Sequence, residues 1–182
     1  WRVEQAERAA FLIDAEDYYR AFYDAIAQAR YSVHILGWDI DSRVDLLRVQ
    51  KPSHTSESPP TILGELLLAL VRQRPDLHIY ALAWDFARVY ALEREWIPKF
   101  RIAWQSHDKL HIYMDDQHPQ GGCHHQKVVV IDDHVAFVGG LDLTQSRWDT
   151  SEHRLEDTRR TNSDGKAYPP FHDVQIIVEG KV

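Results

Sequence analysis

Apolar residues recur along this chain in two periods, and the order in which the periods alternate predicts an architecture. Ala9 to Ile13 is a short apolar run that reads as a strand. Asp14 then stands where a helix N-cap would, with Glu16 and Asp17 in the first turn, where the helix dipole favours carboxylates. Tyr18, Tyr19, Phe22, Tyr23 and Ile26 follow at helical spacing, so residues 14 to 29 are expected to form an amphipathic helix with an aromatic core face. Ser32 to Trp38 reads as a second strand. Ile62, Leu63, Leu66, Leu67, Leu70 and Val71 trace a second helix, ended by Pro75. Leu77 to Trp84 is apolar at both parities, the mark of a strand covered on both faces. Phe86, Val89, Tyr90, Trp96 and Ile97 predict a third, shorter helix, and Lys109 to Met114 a further strand. Gln126 to Ile131 and Val135 to Val138 are apolar runs joined through Asp133 and His134, which predicts a hairpin. Val174 to Val178 supplies a last strand.

The order β-α-β-α-β followed by a hairpin predicts an α/β domain, a mixed β-sheet flanked by helices on both faces. Lys51 to Pro60, rich in Ser, Thr and Pro, is expected to be a long loop inside that domain and not a linker. At 182 residues the chain is expected to be a single domain, 1–182, with apolar and aromatic content sufficient for a core. The net charge of −7 weighs against a broad nucleic-acid footprint, which needs a basic face, but leaves room for a small cationic pocket. A single cysteine, Cys123, excludes an internal disulfide and reads as a packed small residue. No run of 18 or more apolar residues offers a membrane span, so a soluble or peripheral membrane protein of unassigned compartment is expected. The chain starts at Trp1 and stops just after a strand, and both ends are expected to be cuts in a longer polypeptide.

The hairpin carries the candidate chemistry. His125 and Lys127 are two residues apart and share one face of an extended chain. An imidazole can attack phosphorus, and an ammonium beside it can neutralise a phosphate oxygen. Asp132 has the opposite parity and lies at the turn, so it is expected to buttress the hairpin without touching substrate. Eleven histidines invite a zinc reading, but Cys123, His124 and His125 are adjacent and diverge, and Asp39 and Asp41 read as loop carboxylates. No metal and no cofactor are expected.

The spacing H-x-K-x4-D-x6-G-G, carried by His125, Lys127, Asp132, Gly139 and Gly140, resembles the signature of the phospholipase D superfamily. Gly140 to Thr144, Arg147 to Thr150, Phe171 to Asp173, the His124-His125 pair and Gly37 to Asp39 look like the sequences around the first motif of two-motif phospholipases D. Gly140 and Asp142 stand where many members carry Ser and Asn, which resembles the eukaryotic-type branch. The resemblance implies an N-terminal half of such an enzyme, with its first motif at 125–132, cleaving glycerophospholipids through a phosphohistidine. A cardiolipin synthase-like transferase, a nuclease of the same superfamily and a non-catalytic binding or dimerisation half remain open. In the lipid reading His125 is the nucleophile, Lys127 steadies the phosphate, Asp132 completes the catalytic motif, and Asp173 orients the imidazole. Gly139, Gly140, Asp142 and Trp38 are expected to bind substrate, with Arg147 and Trp148 as further candidate contacts. The expected partners are a phospholipid, with peripheral membrane contact, and a second H-x-K-x4-D half from a C-terminal segment or a second copy. Nucleic acid is not expected.

Overall fold

A computed structural model describes residues 3–48, 59–84, 107–115, 117–119 and 122–180. The third helix expected at 86–97, and the loop at 51–58, lie outside the described residues. Seven strands form one mixed sheet: β1 (Arg8–Ile13), β2 (Ser32–Gly37), β3 (His78–Trp84), β4 (Leu110–Asp115), β5 (Val128–Ile131), β6 (Val135–Gly139) and β7 (Val174–Glu179). Their spatial order is β1-β7-β6-β5-β2-β3-β4. β2, β3 and β4 run parallel; the other neighbours are antiparallel. The helices are α1 (Asp14–Ile26) and α2 (Leu63–Gln73).

Side-chain parity explains the core. Cross-strand register places Val33 and Ile35 beside Ile79 and Ala81 on one side and Ile131 and Val129 on the other, and Phe137 beside Val129. Paired residues share a face, and all of these are buried in one cluster with the apolar stripes of α1 and α2. Tyr18 and Phe22 close on Phe137, with ring centroids 5.6 and 6.3 Å away. The opposite face is less covered: Phe11, Val138 and Ile176 are exposed there. β3 accordingly alternates between buried and half-buried positions and is not fully enclosed on both sides.

Two local expectations are corrected. Asp14 does not cap α1: the N-cap position falls on Ile13, and no side chain caps the helix. The Asp14 N–H donates to Asp173 O and the Glu16 N–H to Asp149 O, so other segments satisfy the first turn. The hairpin turn is centred on Asp132 and Asp133, not on Asp133 and His134. Both aspartates have φ near +52°, which Asp tolerates and a type I′ turn demands.

Candidate active site

The antiparallel register gathers the polar residues at one end of the sheet. Leu36 pairs with Val128, Val128 with Val138, Gly139 with Gln175, and Ile13 with Val174. Continuing the register by one residue sets Gly37 beside Lys127, Lys127 beside Gly139 and Gly140 beside Val174, so Trp38 and Asp173 follow one residue further on. β5 starts at Val128, so His125 to Lys127 lead into the strand and are not part of it.

Lys127 keeps the inward parity of Val129 and Ile131, and is buried with them. A buried ammonium needs a counter-ion, and Asp142 supplies it. Lys127 Nζ lies 3.0 Å from Asp142 Oδ2, with side chains 6% and 3% exposed. Nζ also donates to the carbonyl of His125 at 3.1 Å. These two contacts take up two of the three donors of the ammonium. Asp142 is held in turn: its Oδ1 accepts from the N–H of Trp38 at 2.8 Å and of Asp39 at 3.3 Å. Burial pushes the Asp142 carboxyl above its usual range, and Lys127 together with these two N–H groups pulls it back. His125 itself is exposed. Trp38 connects it to the buried pair, its ring standing edge-on to the His125 imidazole at 5.9 Å and lying 5.9 Å from Lys127 Nζ.

The other expected residues sit elsewhere in the arrangement. Asp132 is at the opposite end of β5 from His125. Its carboxylate accepts from the backbone N–H of Arg30, Tyr31 and Ser32 at 2.7 to 2.8 Å, which ties the α1–β2 connection to the hairpin. The glycine pair is closely packed where a side chain would stand. A Cβ on Gly140 would collide with the Asp173 carboxylate, and one on Gly139 with Gln175 and the Val174 carbonyl. Asp173 accepts from its neighbour's N–H, Val174, at 2.8 Å. Among the described residues no hydrogen bond or ion pair joins it to His125. The physical reason is spacing: β7 and β5 are two strands apart, roughly 10 Å. Trp148 is buried between the guanidinium groups of Arg48 and Arg159, so it is a core residue and cannot meet a head group. Arg147 lies over Phe171.

Asp142 as the counter-ion of Lys127 is the part that sequence reasoning missed. The signal was present, since a lysine on the parity of buried valines must be paired. Its partner, fifteen residues along the chain, is set by tertiary register alone.

A family model described as Phospholipase D matches residues 101–182. Phospholipase D C of Dictyostelium discoideum is 27% identical over 93% of this chain, and Phospholipase D of Phytophthora infestans 30% identical over 80%. These matches support the phospholipase D superfamily for this chain. It spans only 12% and 8% of the length of those two relatives. The fold agrees with that of two solved structures. NucT from Helicobacter pylori superposes with a TM-score of 0.57 at 11% identity, covering 96% of this chain and 86% of that one. Nuc from Salmonella typhimurium, a phospholipase D family member, gives 0.54 at 11% identity, covering 95% and 84%. Among the described residues no helix is long and apolar enough to cross a membrane.

Proposed function

We propose that the chain is the first-motif half of a phospholipase D-type phosphodiesterase and transphosphatidylase acting on glycerophospholipids. The observation that carries this reading is the exposed His125 imidazole, which shares the Trp38 ring with a buried, neutralised Lys127–Asp142 pair. An imidazole nitrogen of His125 attacks phosphorus, and the bond from phosphorus to the head-group oxygen breaks. The departing alcohol takes a proton from a histidine of a second motif. Water or another alcohol then attacks phosphorus and displaces the imidazole, giving a phosphatidic acid or a new phosphatidyl ester. Lys127 contributes by placing a fixed N–H where charge builds on phosphorus. Trp38 offers an apolar wall beside the reacting group.

In-line displacement needs the nucleophile and the proton donor on opposite sides of phosphorus. The strand end that bears His125 serves one side, so the second motif comes from a C-terminal half or from a second copy. The exposed Val138, Ile176 and Phe11 are apolar surface for such a partner to cover. The net charge of −7 favours a single phosphodiester over a polyanion.

The test is release of the head group from phosphatidylcholine vesicles by the 182-residue chain across a dilution series. Activity should vanish as the chain becomes monomeric, and return when a second-motif half is added. Undiminished activity of the monomer would refute the two-sided mechanism.

A further inference from the structure

Three polar side chains from distant parts of the sequence converge at the β1–β7 margin of the same sheet end, away from His125. Asp14, at the β1–α1 junction, is fully buried. His172 Nδ1 lies 2.8 Å from its Oδ1, and His153 Nε2 lies 3.1 Å from its Oδ2. One ligand atom from each residue falls within 4.8 Å of the others. Oδ1 also accepts from the N–H of Asp173 at 3.1 Å. Oδ2 accepts no hydrogen bond among the described residues, although it is buried and His153 Nε2 is near. The two atoms are within ion-pair distance without being aligned as donor and acceptor.

The donor count at His153 sharpens this. Its Nδ1 faces Asp149 Oδ2 at 3.4 Å while its Nε2 faces Asp14 Oδ2. Both carboxylates are fully buried. A neutral imidazole has a single N–H and serves only one of them, so the second oxygen is met either by a second N–H on the ring or by a bound cation, which metal titration separates. With that proton on Nδ1, toward Asp149, the Nε2 lone pair confronts the orphaned oxygen of Asp14, and a cation between them resolves the conflict. A histidine that presents one nitrogen to a cation while the other donates to a carboxylate is the usual second-shell arrangement around a bound metal.

We propose that Asp14, His153 and His172 bind a divalent transition-metal ion of the zinc class. The ligands would be Asp14 Oδ2, His153 Nε2 and His172 Nδ1, with water completing the shell on the exposed side of His172. Two imidazoles and one carboxylate suit zinc, cobalt or nickel and not the oxygen-seeking calcium or magnesium. Tetrahedral bonds of about 2.05 Å separate ligand atoms by roughly 3.4 Å, so the His153 Nε2–Asp14 Oδ2 pair, 3.1 Å apart, needs to open by about 0.3 Å. Asp14 Oδ1 keeps its bond from Asp173, and His172 carries its proton on the outward nitrogen. The ion would staple the long segment between β6 and β7 to the start of α1. Its role is structural, because the site is separated from His125 by the strands β7 and β6.

The test uses chelator-stripped protein titrated with Co²⁺, read by its visible ligand-field absorption, and with Zn²⁺, read by melting temperature. One equivalent should bind, and Zn²⁺ should raise the melting temperature. His172 is 62% exposed, so His172→Ala should fold as the wild type does. That variant should bind more than about tenfold more weakly and lose the Zn²⁺ shift, and His153→Ala should behave alike. His111→Ala, which alters a histidine pair on the open face of the sheet, should change neither readout. Absence of saturable uptake below millimolar metal would overturn the proposal. So would uptake unchanged in both ligand variants, or abolished by His111→Ala.

Discussion

Asp142→Asn isolates the buried charge at the candidate site. The amide keeps the size of the side chain and an oxygen for the N–H groups of Trp38 and Asp39, but it cannot neutralise Lys127. Removing one member of a buried ion pair costs about 3–5 kcal/mol, because the remaining charge stays desolvated and uncompensated. Against a total stability of about 5–15 kcal/mol for an ordinary domain, that is a large loss. Asp142→Ala should be worse, since it strands both N–H groups as well, at roughly 1–3 kcal/mol for each group left unpaired. Lys127→Met should cost less, about 2 kcal/mol, because burial already favours the protonated form of Asp142 and that carboxyl keeps its N–H partners. The double variant Lys127→Met/Asp142→Asn should therefore recover part of the single losses, with a coupling of about 2 kcal/mol. Urea denaturation followed by tryptophan fluorescence measures the wild type and all four variants. If Asp142→Asn loses less than about 0.5 kcal/mol, the pair behaves as a solvent-exposed one, and the buried-cation reasoning is wrong.

Further consequences can be measured separately. Lys127→Arg should fold poorly and turn over little substrate, because a planar guanidinium does not fit the space of a compact ammonium at 3.0 Å from Asp142; normal activity would make Lys127 an ordinary cation. Asp132→Ala should lower stability by about 1–3 kcal/mol through three lost N–H acceptors, while the folded fraction keeps its turnover; a loss of turnover larger than the loss of fold would put Asp132 in the chemistry. Gly140→Ala should destabilise through its collision with Asp173, and Gly140→Ala/Asp173→Ala should restore part of the loss by emptying that space. The fold should also weaken in acid. The Arg159 side chain holds Asp157 down to about 2. At Asp149 burial alone would raise the carboxyl, but the N–H groups of Phe171 and Thr150, with Arg160 and His153, bring it below its usual value. Carboxylates with depressed values stabilise the fold above about pH 4 and lose that contribution as pH falls through the folded values. The melting temperature should therefore drop between about pH 4 and 2, and by less in Asp157→Asn.

The strands and helices were legible because their signals are local. The parity of Val33 and Ile35, the stripe of α2 and the apolar hairpin each predict an element within a residue or two of its observed ends. The inward parity of Lys127, shared with Val129 and Ile131, was legible for the same reason. What failed depended on register between distant segments. Asp14 has the sequence of an N-cap, yet its carboxylate turns away to His172 because β1 and β7 are neighbours. Asp173 matches a motif, yet β6 stands between it and His125. Trp148 reads as a candidate substrate contact beside Arg147, yet it is enclosed by two arginines from other loops. In each case the residue type was readable, and the partner was set by strand order.

The central claim is that His125 is the nucleophile, and its most direct test is the site of the covalent intermediate. The protein with its second motif present, whether in the same chain or on a second copy, is mixed with a phospholipid labelled at phosphorus and quenched within one turnover. Phosphohistidine is then mapped by peptide mass spectrometry at a resolution that separates His125 from His124. The label should sit on His125, and His125→Asn should carry none and turn over less than about a tenth as fast, a barrier increase of at least ~1.4 kcal/mol. Label on His124 or His172, or turnover that persists in His125→Asn, would contradict the account.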